Sequence, residues 1–516
     1  MPLKKRNKKE DSKRENSISI SKDIDINLKK IKEILKDCDD IVYREFTVGE
    51  RQNFKFAIVY VDGLTDKMLV SDYVLESLMH QARGLEPNPN SVKNNLYELV
   101  KKGNIAITEL KEVETLNEAI DNVLAGETIL LINRYQKIII VSSRGWPIRG
   151  LAEPETETVI RGPRDGFVET LKVNTTLVRR RIRDPRLKIK NMQIGRRSKT
   201  DIAVLYVEDV TNKDLVEEVI KRLKTIRVDV VLESGVIEQF IEDNWISPFP
   251  QVENTERPDA VAAALYEGRV AILIDNTPFA LIVPVTIGTL LQSSEDYYER
   301  WIITSLVRLL RYIAALMALL LPSIYIAVTA YHPGMLPTQL ALYLAATREG
   351  VPFPAIIEAF IMEVTIELLR EAGMRLSGPI GTTIGIVGGL VIGQAAVEAG
   401  IVSPMMVIIV ALTTIASFAI PNYNIATGFR FVRFGIMIFS AILGLYGIML
   451  ALLILGSHLV RLESFGVPYM SPYVSFSETY SDLKDSMVKL PIQIMKRRPK
   501  FTNVYDKDRI FSDSEE

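Results

Sequence analysis

Apolar positions along this chain fall into two regimes. From Met1 to Arg300 they come in short, β-branched runs separated by charged and turn-forming stretches. From Trp301 to Ser464 the runs are long, and neither Lys nor Asp occurs. A hydrocarbon surrounding imposes such depletion, because a charge at a bilayer centre is costly. One helical crossing needs about 20 apolar residues, and four runs read as crossings: 312–331, 379–399, 401–420 and 434–459. Pro322 is expected to kink the first. The run 355–374 carries acids, and 338–347 is too short to span. With both ends cytosolic the count is even. Four crossings put Arg430 and Arg433 outside, against the inward bias of basic residues. Counting 355–374 moves them inside but sends the tail out, and a sixth, partial crossing near 338–347 reconciles both. The pattern leaves the count between four and six.

The charged part contains an internal repeat. Phe56-Ala-Ile-Val-Tyr-Val-Asp-Gly-Leu-Thr-Asp-Lys matches Ile202-Ala-Val-Leu-Tyr-Val-Glu-Asp-Val-Thr-Asn-Lys. Each copy reads as a strand, an acidic turn and a helix, Leu69 to Gln81 and Leu215 to Leu223, with Thr65 and Thr211 at the N-cap positions. A second pair follows in the same order, Gly126-Glu-Thr-Ile-Leu-Leu-Ile-Asn and Gly268-Arg-Val-Ala-Ile-Leu-Ile-Asp, each leading to a further strand, Lys137 to Val141 and Phe279 to Val283. The repeat predicts two related α/β subdomains of about 140 residues. Their fully apolar strands suggest a mixed sheet covered by helices. The expected fold class is thus an α/β soluble N-terminal region of two related subdomains, followed by an all-α multi-pass membrane domain. The boundaries expected are a basic tail and lead-in helix over 1–40, subdomains over 41–158 and 159–293, a transmembrane domain over 294–465 and a C-terminal tail over 466–516.

Charge adds little. The net charge of −1 averages the two regimes. Lys4, Lys5, Arg6, Lys8 and Lys9 begin a basic tail, read as solvated or as lying on anionic headgroups. The start has no apolar signal-peptide core, so the N-terminal region is expected in the cytosol. The single cysteine, Cys38, excludes an intramolecular disulfide. Arg179, Arg180, Arg181, Arg183 and Arg186 form a dense cluster. No nucleic-acid-binding fold accompanies it, so a salt network or a solvated face is expected, and nucleic acid is not a partner. Prolines between Trp245 and Asp259 predict an ordered loop with anchoring aromatics, and the Glu-Arg-Pro-Asp run there is suited to an ion pair.

No catalytic or metal constellation emerges. His80, His332 and His458 stand without a Cys or a second His at ligand spacing, and P-loop and nucleophile-elbow patterns are absent. No enzyme activity, metal or cofactor is expected. In 355–374, helical spacing puts Glu363, Glu367, Arg370, Glu371 and Met374 on one stripe, with Glu358 off it. Such a stripe must face protein or a watery cavity. Glu367 and Glu371 have Arg370 and Arg375 within reach for ion pairs. Glu358 and Glu363 have no arginine at helical spacing and are the stronger functional candidates. The glycines Gly381, Gly385, Gly388, Gly389 and Gly393 include two G-x-x-x-G spacings, which serve either close helix packing or a helix lining a shared pathway.

Several longer motifs then converge. Arg161-Gly-Pro-Arg-Asp-Gly-Phe, Arg179-Arg-Arg-Ile, Ser247-Pro-Phe-Pro-Gln, Thr255-Glu-Arg-Pro-Asp, Pro322-Ser-Ile-Tyr-Ile-Ala, Arg370-Glu-Ala-Gly-Met-Arg and the run from Ile386 to Pro404 resemble the A subunits of GerA-type spore germinant receptors, over about residues 40–500. The resemblance implies a place in the inner spore membrane and assembly with a transporter-like B subunit, which senses the nutrient, and a lipoprotein C subunit. It also implies a homo-oligomeric channel that releases cations when nutrient binds. On that reading Glu358 and Glu363 attract cations at a pore mouth. Glu367 and Gln394 are further pore candidates. Ile386, Val387 and Val391 form an apolar constriction that gates by dewetting. A secondary transporter, weakened by the lack of an inverted repeat, and a non-conducting scaffold are the alternatives.

Overall fold

The computed structural model describes residues 18–48, 54–69, 110–145, 153–375, 389, 391–474 and 482–510. They form two compact units. The first holds the described residues up to Ile241, with Asn254–Val283 and Thr502–Lys507. The second holds Glu242–Glu253, Pro284–Phe501 and the described residues from Asp508.

The first unit contains two five-stranded sheets built to one plan. Strands β1 (Ile41–Val48), β2 (Phe54–Val61), β3 (Leu110–Val113), β4 (Thr128–Ile132) and β5 (Ile138–Val141) lie in the order β1-β2-β4-β5-β3. Strands β6 (Leu187–Ile194), β7 (Thr200–Val207), β8 (Glu253–Thr255), β9 (Val270–Ile274) and β10 (Ala280–Val283) repeat it as β6-β7-β9-β10-β8. The sequence repeat therefore maps β2 on β7, β4 on β9 and β5 on β10. Equivalent registers follow, with Ala57 opposite Leu131 and Ala203 opposite Leu273.

The mixed sheet expected from the apolar strands is not found in the first copy, nor among the three pairings of the second copy whose direction is described. All four pairings of the first sheet are antiparallel, as are β6–β7, β7–β9 and β9–β10 in the second. An apolar strand reports burial on both faces and not strand direction. Direction here follows the tight β4–β5 and β9–β10 turns, where Arg134 and Asn276 take left-handed backbone (φ 65° and 68°).

Helices α1 (Ile24–Ile34) and α2 (Leu116–Leu124) bury Leu28, Ile31, Ile120 and Val123 against Val59, Ile129 and Ile140 of the first sheet. Helices α3 (Leu171–Arg181), α4 (Lys213–Thr225), α5 (Ser234–Ile241) and α6 (Pro258–Tyr266) belong to the second copy, where Leu177, Val178, Val261 and Leu265 cover Ala203, Leu205 and Leu273. Each such aliphatic side chain contributes about 1.5–3 kcal/mol on burial. The helix caps fall one residue beyond the threonines. Asn212 caps α4, its side chain accepting from Asp214 N at 3.0 Å, and Asp66 accepts from Met68 N at 2.9 Å in the first copy. Thr65 and Thr211 are buried beneath them. The rest of the segment 69–81, expected as a helix, lies outside the described residues.

The second unit is helical: α7 (Ile287–Leu290), α8 (Trp301–Ala330), α9 (Thr338–Arg348), α10 (Ala355–Arg375), α11 (Pro404–Phe418) and α12 (Tyr423–Arg461), with 391–398 also helical. Pro322 sits within α8, which runs on to Ala330. The run 434–459, expected as a single crossing, is not one straight helix. Gly444 has φ 59° and ψ −138°, outside helical space. A straight helix would hold Phe429 and His458 about 43 Å apart, yet Phe249 lies 5.8 Å from the Phe429 ring and 6.2 Å from that of His458. Helix α12 is thus a hairpin of two antiparallel arms, 423–443 and 445–461. Only glycine adopts that backbone freely, and a Cβ at Gly444 would come within 2.9 Å of His332 Cε1. Hydropathy cannot register a reversal inside a uniformly apolar run.

Side-chain contacts order the other helices. Helix α8 runs alongside the first arm in the same direction, with Arg433 at Ala318 O (3.2 Å) and Ser440 at Ser323 O (2.6 Å). Helix α10 runs the opposite way, with Met374 Sδ 3.4 Å from the Tyr423 hydroxyl. Helix α11 also opposes α8, starting where Ser403 meets Tyr325 (3.3 Å) and ending where the Phe418 ring lies under Arg370.

Candidate functional site

The acids of α10 meet arginines from other helices. Glu358 is fully buried; its Oε2 accepts from Ser403 N at 2.8 Å, and its Oε1 accepts from Arg348 Nε at 3.3 Å. Ser403 caps α11, so this carboxylate sits at the positive end of that helix. Glu363 is fully buried too, and its Oε2 lies 2.6 Å from Arg433 Nη2. The approach is off the N–H direction, an ion pair without a well-formed hydrogen bond. Glu367 lies 3.1 Å from Arg370, 3.8 Å from Arg433 and 3.9 Å from Arg430. Glu371 pairs with Arg375 at the surface.

Helical spacing alone missed Arg348, Arg430 and Arg433, because these partners arrive from α9 and the first arm of α12. The signal for two of them was present: Arg430 and Arg433 lie three apart on an apolar helix, and such charges need partners. They lie inside the first arm and not in a connector between crossings.

The helical stretch 391–398 is different. Val391 is 56 % exposed, and Val391, Gln394, Ala395 and Glu398 form one exposed stripe at helical spacing. Gln394 Nε2 donates to Glu398 Oε1 at 2.9 Å. Gly393 faces inward, where a Cβ would touch Val407 at 3.5 Å, whereas a Cβ at Gly389 would meet open space. Ile386, Val387, Gly381, Gly385 and Gly388 lie outside the described residues.

In the first unit the arginine cluster is a salt network. Arg179 is fully buried and grips Asp40 with Nε (2.8 Å) and Nη2 (2.9 Å), tying the second sheet's helix α3 to the entry of the first sheet. Arg181 meets Asp165 at 2.6 Å, and Arg186 meets Asp184 and Asp209. Burial alone would raise the Asp165 carboxyl, but the Arg181 guanidinium overrides it and holds it below the usual carboxylate range. Arg257 is buried against Asp259 (2.9 Å) and the Pro163 carbonyl (2.9 Å). Only one aromatic of the proline-rich loop is anchored: Phe249 is buried in the second unit, whereas Trp245 is 80 % exposed. Beside Phe249, Ser247 Oγ lies 2.9 Å from His458 Nε2. Among the described residues no His, Cys, Asp and Glu gather to hold a metal ion.

Residues 29–501 match the family described as Bacillus/Clostridium GerA spore germination protein. The chain belongs to the GerA spore germination protein family. It is 44 % identical to spore germination protein GerLA of Bacillus cereus, over 93 % of this chain and 95 % of that protein. It is 43 % identical to spore germination protein B1 of Bacillus subtilis (strain 168), over 93 % of this chain and 98 % of that protein. Spore germination protein A1 of the same strain is 45 % identical, over 91 % and 93 %. The crystal structure of the N-terminal domain of the A subunit of the Bacillus megaterium spore germinant receptor GerK3 matches with 34 % identity and a TM-score of 0.42, covering 52 % of this chain and 97 % of that one. Within this GerA chain, α8 and α12 are long and apolar enough to cross a membrane.

Proposed function

We propose that this chain is the membrane subunit of a nutrient-responsive spore germination receptor, and that copies of it surround a cation pathway opened when a partner subunit binds germinant. The exposed Val391–Gln394–Glu398 stripe carries the reading. It lies on the glycine-rich segment, has a carboxylate and an amide among apolar positions, and finds its surroundings outside the protomer. Rings of carboxylates draw cations and apolar rings gate by dewetting. Gly389, open on the same segment, admits a close neighbour. Glu358 and Glu363, buried against arginines, tie α10 to α9, α11 and the first arm of α12, and Glu367 is one-third exposed.

The order of α8, α10, α11 and both arms of α12 supports six crossings, with the apolar run 379–399 of the sequence supplying the remaining one. The count is even, so the soluble unit and the C-terminal tail share the cytosolic side of the inner spore membrane. The transporter-like B subunit supplies the nutrient signal and the lipoprotein C subunit completes the complex.

Single-channel recording of the full-length chain in lipid, alone and with its partners, is the test. Unitary cation currents are expected. Substrate-coupled flux without unitary currents would assign a transporter, and no flux under any stimulus would assign a scaffold; either overturns the channel.

A further inference from the structure

The charges around Glu367 do not balance. Two acids, Glu363 and Glu367, face three arginines, Arg370, Arg430 and Arg433, an excess of one positive charge. Four donor atoms of these arginines are buried without a hydrogen-bond partner: Arg370 Nε and Nη2, Arg430 Nε and Arg433 Nε. The three side chains are 9 %, 8 % and 2 % exposed. A buried guanidinium donor left unpaired is costly, and an anion is the group that meets several at once.

Depth identifies the anion. Helix α10 ends at Arg375, and α12 begins at Tyr423, beside Met374. Arg370 lies five residues from that end, and Arg430 seven from its own, about 8 and 10 Å along the axis. Arg370 stacks over Phe418 and Arg430 over Tyr423, aromatics of the kind that mark a membrane boundary. Arg433 lies deeper and is matched by Glu363. The excess charge therefore belongs to Arg370 and Arg430, at a depth from which a long side chain reaches a headgroup. Glu367, one-third exposed, shows where the cluster opens outward.

We infer that Arg370 and Arg430 form a binding site for a phosphate-type oxyanion, presented at this depth by the headgroup of an anionic phospholipid. The inference rests on the membrane placement of the second unit but not on conduction.

The test uses the full-length chain in nanodiscs of phosphatidylcholine or phosphatidylglycerol, read by native mass spectrometry and thermal melting. Failure to enter either disc would overturn the membrane placement itself. Phosphatidylglycerol should be retained and should raise the melting temperature. Arg370→Gln and Arg430→Gln should each weaken retention about tenfold, the loss of one charge-assisted contact. Arg375→Gln, at an exposed arginine on the same helix, should leave it unchanged. Protection by millimolar inorganic phosphate in phosphatidylcholine discs would assign the site to a soluble oxyanion of the same chemistry. Equal melting in both lipids with no effect of phosphate would overturn the proposal, and this comparison stands even if the variants fail to fold. Undiminished retention in well-folded Arg370→Gln and Arg430→Gln would overturn it as well.

Discussion

Arg433 Nη2 lies 2.6 Å from Glu363 Oε2, and both side chains are at most 2 % exposed. This pair joins α10 to the first arm of α12 in an apolar surrounding. Arg433→Gln would strand a buried carboxylate, a loss of about 3–5 kcal/mol. The double variant Glu363→Gln with Arg433→Gln removes both charges and should recover most of that loss. Thermal melting of the detergent-solubilised chain measures the cycle. Simple additivity of the two single losses would mean the residues do not act as a pair.

The reversal at Gly444 makes a topological prediction. Cysteines placed at Tyr423 and Arg461 should label from one side of the membrane, and one at Ile442 from the other. A straight α12 would put Tyr423 and Arg461 on opposite sides. The native Cys38 is a quiet background, because it is buried and burial pushes its thiol up. Gly444→Ala should destabilise by about 1–3 kcal/mol from backbone strain alone, with the contact to His332 adding to it.

Val391 is expected to set resting tightness. Val391→Ala shortens an apolar, exposed side chain without touching the buried cluster. Spores carrying it should lose cations without nutrient, measured as ion release into buffer. Ion retention equal to the parent would remove Val391 from the gate.

Asp165 and Arg181 set an acid limb for the first unit. A carboxyl held below its ordinary value adds stability above about pH 4 and gives it up as the pH falls through the folded value. Arg181→Gln removes the main group that offsets burial at Asp165, leaving a backbone hydrogen bond and the Arg180 charge to oppose it. The stability gap between parent and variant should be full at neutral pH and close as the pH falls below about 4. Denaturation of the full chain across pH reads this directly, and a gap independent of pH would exclude the ion pair as its source.

Local and periodic features were settled by the chain itself. The repeat placed β2 with β7 and β4 with β9, because apolar β-branched runs and their turns are nearest-neighbour properties. Depletion of Lys and Asp marked the apolar helices, because composition records the surrounding medium. The motifs Arg161 to Phe167 and Ser247 to Gln251 carried the family. Tertiary structure alone decided strand direction, the hairpin at Gly444 and the arginine partners of Glu358 and Glu363. Each depends on residues far apart in sequence: Glu363 and Arg433 come from different helices, and Arg179 meets Asp40 across 139 positions. Helical spacing reports one face of one helix, whereas a buried charge is neutralised by whatever the fold brings beside it.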